Sequence, residues 1–281
     1  ITAITDQAWQ WLTGKKIRKR DRMSGEVLTQ RSGNIATVIL SAPERLNAMN
    51  LDMWRGITDA FKVLDADDDL RCIILRGAGE KAFAAGADIA EFATERFDRD
   101  SAHTYGAVMA SALEAIQQCR HPVVAMIHGA CVGGGLELAC CCEMRICGEN
   151  SRFGVPVKNL GLVVALNEMQ AVAAVVGRAN ALEIVLEGQV FDAQTAQGMN
   201  LVNRIVAPDQ VTAEVEATAR RIAQGAPLVA RWHKQFARRL SDPTPLTEAD
   251  IEESYACFDT ADFQTGYKAF LNKEKPDFEG R

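Results

Sequence analysis

The stretch PVVAMIHGACVGGGLELACCC, residues 122–142, decides how the rest of the chain is read. Residues 122–127 are a short apolar run bounded by proline and glycine, the pattern of a buried strand. Three consecutive glycines follow, Gly133, Gly134 and Gly135, and then 136–142 continues as an Ala/Leu-rich helical run. A triple glycine between a buried strand and a helix lets a ligand approach the backbone closely and leaves the first N–H groups of the helix unpaired. Such a place suits negative charge. The spacing G-x-x-x-G-G-G over 129–135 is neither a Walker A loop, which needs Gly-Lys-Ser/Thr, nor a Rossmann fingerprint.

Outward from this centre, strands alternate with helices. Residues 27–30 and 35–40 flank a Ser-Gly-Asn turn at 32–34 and predict a hairpin. Asn50 is a good N-cap for a helix over 51–65, with Trp54, Ile57, Phe61 and Leu64 on one face. The run RCIILR at 71–76 reads as a buried strand, 77–88 as a loop with two Gly-Ala steps, and 104–118 as a helix. Downstream come helical patterns at 167–176 and 180–187, a strand at 201–206, and an almost wholly helical remainder from 209, broken at Pro227 and at 242–245. The alternation predicts an α/β domain with its site in loops at strand ends. The organisation expected is a basic extension at 1–22, a core domain at 23–205 and a helical C-terminal region at 206–281, whose apolar faces call for packing on the core or on another subunit.

Composition bounds the function. A chain of 281 residues that is 48% hydrophobic and 24% charged buries a sizeable core and is not disordered as a whole. No uninterrupted apolar stretch approaches the roughly 20 residues of a membrane helix, and a net charge of −6 argues against a nucleic-acid surface. The charge is uneven: Lys15, Lys16, Arg18, Lys19, Arg20 and Arg22 against Asp6 and Asp21 leave +4 in the first 22 residues. Of eight cysteines, Cys140, Cys141 and Cys142 are consecutive; on a helix they point about 100° apart and do not converge on one metal. They read as small core residues of a reducing compartment. The N-terminus lacks an apolar stretch followed by a small-residue cleavage site, so a cytoplasmic protein is expected. The four histidines, at 103, 121, 128 and 233, have no metal-ligand spacing, and no metal is expected.

Glu137 lies three positions after Gly134, on the same helix face, among Leu136, Leu138, Ala139 and Cys140. A carboxylate held in such surroundings has a raised pKa, which suits proton transfer; the competing reading is an exposed glutamate on an amphipathic helix. Glu143 reads as structural, and His128 as structural or solvent-facing. The loop KAFAAGADI at 81–89 offers a second backbone N–H. Two such donors aimed from separate loops at one point form an oxyanion hole for an enolate, where losing one costs on the order of 3 kcal/mol.

Taken together, Arg45-Leu46-Asn47-Ala48-Met49, the 81–89 loop, the stretch 121–137 and Phe153-Gly154-Val155-Pro156 closely resemble the enoyl-CoA hydratase/isomerase, or crotonase, family over about residues 26–281. The motifs A-G-A-D-[I/L] and H-G-x-x-x-G-G-G-x-E, in this order and spacing, carry the resemblance. It implies a crotonase-like α/β spiral of ββα units with a helical C-terminal trimerisation region, assembled as a homotrimer or a dimer of trimers. It implies an acyl-CoA thioester as substrate, no prosthetic group, coenzyme A only as part of that substrate, and neither nucleic acid nor membrane as partner. By position, the N–H groups of Ala87 and Gly134 would stabilise the thioester enolate, and Glu137 falls on the first of two glutamates that hydratases use. CoA contacts carried over in the same way are the backbone around Arg45, Leu46, Ala85 and Ile89, with Phe270 and Lys273 near the adenine and phosphate end.

One departure stands out. The second glutamate of hydratases directly follows the F-G-x-P run, and here that position is Val157. The loop that follows is also changed, to Gly161-Leu162-Val163-Val164-Ala165-Leu166-Asn167-Glu168. Glu168 is either a displaced substitute for the missing carboxylate or an ordinary acid in the first turn of a helix. Val157, Leu162, Val163, Val164 and Leu166 predict an apolar pocket wall on that side. The expected function is hydration of a 2-enoyl-CoA; the alternatives are isomerisation, decarboxylation or thioester hydrolysis through the same enolate, or a catalytically silent CoA-thioester-binding scaffold.

Overall fold

The computed structural model describes residues 25–281; the basic extension at 1–22, with Trp9 and Trp11, lies outside the described residues. Strands β1 (Glu26–Ser32) and β2 (Ile35–Ser41) form the expected antiparallel hairpin, with Ser32 opposite Ile35 across the turn. Helix α1 (Leu51–Asp65) starts where Asn50 caps it, its side-chain oxygen accepting the Met53 N–H at 2.9 Å. Met53, Trp54, Ile57, Phe61 and Leu64 are buried along one face. Full burial of each large side chain contributes roughly 1.5–3 kcal/mol, which holds this helix to the sheet.

Three ββα turns follow. The first is β3 (Cys72–Gly77), β4 (Ala82–Ala84), a short α2 (Phe92–Glu95) and the long α3 (Arg99–Gln118). The second is β5 (Val123–Ile127), β6 (Ala130–Val132) and α4 (Gly134–Cys140); the third is β7 (Met144–Gly148), β8 (Arg152–Gly154) and α5 (Leu166–Glu187). The chain continues through β9 (Phe191–Asp192), α6 (Ala193–Gly198) and β10 (Arg204–Val206). In each turn the first strand joins a six-stranded sheet, ordered β1-β2-β3-β5-β7-β10, and the second joins a four-stranded sheet, ordered β4-β6-β8-β9. Strands β2 to β10 of the larger sheet run parallel, as do β4, β6 and β8 of the smaller one. This is the spiral of ββα units that the family resemblance implies.

The helical C-terminal region comprises α7 (Val211–Ala223), α8 (Pro227–Leu240), α9 (Glu248–Glu253) and α10 (Ala261–Asn272). Val211, Val215 and Ala219 of α7 cover one face of the large sheet at Cys72, Ile74, Val124, Met126 and Ile146. Ile73 and Leu75 face the main core on the other side. Strand β3 is therefore buried on both faces, which is why it reads as a continuous apolar run.

The structure differs from the expectation in the bounds of several elements; the strand expected at 201–206 is only β10, Arg204–Val206. The segment 77–88 is not all loop, because it contains β4; β4, β6 and β8 are each three residues long, too short for alternation to register. Helix α3 begins before 104 because Asp98 and Ser101 form a capping box, with Ser101 N–H donating to Asp98 Oδ1 at 2.9 Å. The two helical patterns expected at 167–176 and 180–187 are present, as the two parts of α5 on either side of a kink at Gly177 (φ 76°, ψ 161°). Finally, α5 is long and apolar enough to cross a membrane by length and composition alone, yet it packs against α4 and buries Glu168. All eight cysteines are free, and seven of them, Cys140 to Cys142 included, are buried.

Candidate active site

Parallel strands place their C-terminal ends together, and β4, β6 and β8 deliver three loops to one edge of the small sheet. The loop after β4 carries Ala85 to Asp88, that after β6 carries Gly133 and Gly134, and that after β8 leads to Val157. The Gly133 N–H donates to Gly154 O at 2.8 Å, tying the second loop to the third. The first and second lie in direct contact: a Cβ placed on Gly86, whose φ is +99°, would stand 3.1 Å from Val132 O and 3.4 Å from Gly134 N. The three loops enclose a cavity of about 260 Å³, closed on its far side by the turn at Pro156–Leu160 and the start of α5.

Two residues that line this cavity have backbone amides left unpaired among the described residues. Met49 bridges to Ala87 in parallel fashion, with Met49 N–H donating to Gly86 O and Asp88 N–H to Met49 O, both at 2.8 Å. That pattern uses the groups on either side of Ala87 and turns the Ala87 N–H away, so it has no protein acceptor among the described residues. Gly134 opens α4, and its N–H is one of the orphan donors of a helix start, likewise without a protein acceptor. Both residues line the cavity. The loop holding Ala87 is braced by the buried Arg45–Asp88 ion pair and by Asn47, whose amide donates to Ala82 O at 2.8 Å and Ala78 O at 3.1 Å. Leu46 O accepts from Ala85 N–H at 3.0 Å, joining the two loops that carry the CoA-contact candidates.

Glu137 and Glu168 line the same cavity and are 3% and 5% exposed. The reading of Glu137 as a surface residue is thus excluded. Burial, reinforced by the charge of Glu168, pushes the Glu137 carboxyl well above the ordinary carboxylate range, with Arg96 opposing the shift. Glu168 Oε2 accepts the Ala165 N–H at 3.0 Å, the return half of a capping box. Glu168 thus caps the start of α5 and also lines the cavity that Glu137 lines.

The sequence profile of the enoyl-CoA hydratase/isomerase family matches residues 30–281. This chain belongs to the enoyl-CoA hydratase/isomerase family. It is 33% identical over 262 residues to a probable enoyl-CoA hydratase of Mycobacterium bovis, a match covering 91% of this chain and 98% of that one. It is 31% identical to a crotonyl-CoA hydratase of Syntrophomonas wolfei, over 90% of this chain and 97% of that one. Among solved structures, an enoyl-CoA hydratase/carnithine racemase from Magnetospirillum magneticum superimposes with a TM-score of 0.89 at 50% identity, covering 91% of this chain and 96% of that one. A family member from Hyphomonas neptunium follows with 0.87 at 34%, covering 91% and 98%.

As an enoyl-CoA hydratase/isomerase family member, the chain gathers Ala85, Ala87, Ile89, Leu46, Gly134, Glu137 and Glu168 around one cavity. Of the expected apolar wall, Val157, Leu162 and Val163 line the cavity; Val164 does not, and Leu166 is 90% exposed and not part of it either. The Arg45 side chain is engaged with Asp88. Phe270 and Lys273 lie on and just after α10, exposed and outside the cavity lining. Glu143 is structural as expected, accepting Val123 N–H at 2.7 Å and pairing with Lys234 at 3.1 Å. His128 contacts Thr212 Oγ1 at 3.2 Å, away from the cavity. The residue that sequence reasoning missed is Arg96, which lines the cavity between the rings of Phe92 and Tyr105. It sits in the charged run ERFDRD, which has the look of a solvated loop, and nothing local marks it.

The raised pKa of Glu137 has a stability consequence. A carboxyl whose folded value exceeds its ordinary 4.5 favours the protonated fold, so stability falls as pH rises from there through the folded value. Glu137→Gln removes that cost. The variant is expected to be more stable than the parent at pH 8, on the order of 2 kcal/mol, and nearly equal to it at pH 4; denaturant titrations at the two pH values check this.

Proposed function

We propose that this protein adds water across the 2,3-double bond of a 2-enoyl-CoA thioester, with Glu168 as the second carboxylate. The observation that carries the reading is the meeting of Glu137 and Glu168 in one cavity beside two free amides, although Val157 stands where the family's second glutamate belongs. The Ala87 and Gly134 N–H groups hold the thioester oxygen and stabilise the negative charge that develops there. Burial pushes the Glu137 carboxyl up, so that it holds a proton. Glu168 takes a proton from water as its oxygen bonds to C3, and Glu137 delivers its proton to C2. The 3-hydroxyacyl thioester leaves after the pair exchanges its proton.

Support for the CoA end comes from the loops of Arg45, Leu46, Ala85 and Ile89, which are tied to the oxyanion amides. Phe270 and Lys273, exposed on the C-terminal segment, are carried forward for the adenine and phosphate end. The family implies a homotrimer or a dimer of trimers with no prosthetic group. The exposed Tyr267, Phe270 and Leu271 supply an apolar surface for such an assembly, and light scattering gives its mass.

The deciding experiment follows loss of the conjugated absorbance of crotonyl-CoA. Glu168→Gln is expected to lower kcat about 100-fold, and Val157→Glu placed in that background to restore part of it, because it returns a carboxylate to the other position beside the cavity. Unaltered turnover by Glu168→Gln removes Glu168 from the chemistry. Absence of hydration by the parent, with acyl-CoA binding intact, moves the assignment to isomerisation, decarboxylation or thioester hydrolysis.

A further inference from the structure

We propose that Arg96 recognises a carboxylate on the acyl chain, so that the preferred substrates are short enoyl-CoA thioesters of dicarboxylic acids. The inference rests on the reading of the cavity as an acyl-CoA site and names the class of acyl group.

Arg96 is the only cation among the described residues that line the cavity. Its guanidinium carbon stands 5.2 Å from the centroid of the Phe92 ring and 5.5 Å from that of Tyr105, so two aromatic faces hold the group in place. Its Nε is buried and has no hydrogen-bond partner among the described residues. No carboxylate there pairs with Arg96 either, in contrast to Arg45, Arg120, Arg204 and Arg239, which all have one. Arg96 is half-buried, and its fork of N–H donors fits a carboxylate in two-point fashion.

The placement also says which end of the ligand would meet it. Arg96 lines the same cavity as Glu137, the proposed proton donor, and its charge acts on that carboxyl, from which we place the guanidinium on the acyl side. A cavity of about 260 Å³ suits a short acyl group. A second carboxylate brought next to Glu137 and Glu168 meets repulsion, and Arg96 is the group that offsets it. Arg96 as a mere counter-ion to Glu137 is the rival account, and it predicts equal effects on all acyl chains.

Binding of two saturated thioesters separates these accounts without depending on hydration. Glutaryl-CoA and valeryl-CoA have acyl chains of equal carbon number, and only the first ends in a carboxylate. By calorimetry the parent is expected to bind glutaryl-CoA about 10- to 100-fold more tightly, as a charge-assisted pair provides, and Arg96→Gln to abolish the preference while Arg96→Lys keeps part of it. The kcat/KM ratio of glutaconyl-CoA to 2-pentenoyl-CoA is expected to fall at least tenfold in Arg96→Gln. Equal affinities in the parent, or a preference that survives Arg96→Gln, overturns the proposal. A binding preference lost in Arg96→Gln, in a protein that hydrates neither enoyl thioester, upholds Arg96 as the carboxylate reader and removes only the hydratase reading.

Discussion

Glu137→Gln is expected to lower kcat for crotonyl-CoA hydration roughly 1,000-fold, with little change in KM. The amide is isosteric with the carboxyl, so the cavity keeps its shape and the CoA loops are untouched. What disappears is the proton on the buried Glu137 that we propose is delivered to C2. The loss should appear in kcat, because proton delivery is needed in the transition state and contributes little to ground-state binding. The same substitution removes an ionisable group that the fold buries at a cost. An inactive enzyme that is also more stable at pH 8 is therefore the combined signature, and one that a merely misfolded variant would not show. A kcat within tenfold of the parent, in steady-state assays across pH 6–9, would exclude Glu137 as the proton donor.

Gly135→Ala is expected to cost about 100- to 1,000-fold in kcat without adding or removing any functional group, the size of effect seen when an oxyanion donor is lost. A Cβ at position 135 would lie 2.4 Å from Ala84 O and 2.9 Å from Ala84 Cβ, atoms of β4 that are buried and paired to β6. Neither contact is the end of a flexible side chain, so the first turn of α4 must move. Gly134 moves with it, and its N–H leaves the position proposed for holding the thioester oxygen with the Ala87 N–H. A displacement of this kind also strains the core, with a stability cost of about 1–3 kcal/mol. Gly106→Ala is the matched control: nothing lies within 4 Å of a Cβ there, it sits inside α3, and it should stabilise slightly. Normal turnover by folded Gly135→Ala would separate the Gly134 amide from oxyanion stabilisation.

Much of the architecture is legible in the chain because local rules and the tertiary arrangement agree. Asn50 caps the helix it was expected to cap, the apolar face of Trp54, Ile57 and Phe61 is the buried one, and the glycine run does sit between a buried strand and a helix. The exceptions are elements whose identity is not local. Strands β4, β6 and β8 are three residues each, and they exist because they pair with one another across long separations. The start of α3 is fixed by one reciprocal cap that a periodicity reading overlooks.

For the site, the sequence by itself determined which groups are present: a glycine turn that leaves an amide unpaired, Glu137 one turn into an apolar helix, and a valine where a second carboxylate belongs. It also determined the family, since those motifs recur in order and at fixed spacing. Tertiary structure alone decided what these groups face. Whether Glu137 is buried, whether Glu168 only caps a helix or also enters the cavity, and whether Arg96 points to solvent or inward depend on how three parallel strand ends meet α2 and α5. A side chain's neighbours along the chain set its local conformation, whereas its dielectric surroundings and charged partners come from residues tens of positions away. The proton on Glu137 and the unpaired charge of Arg96 are products of that second set of neighbours.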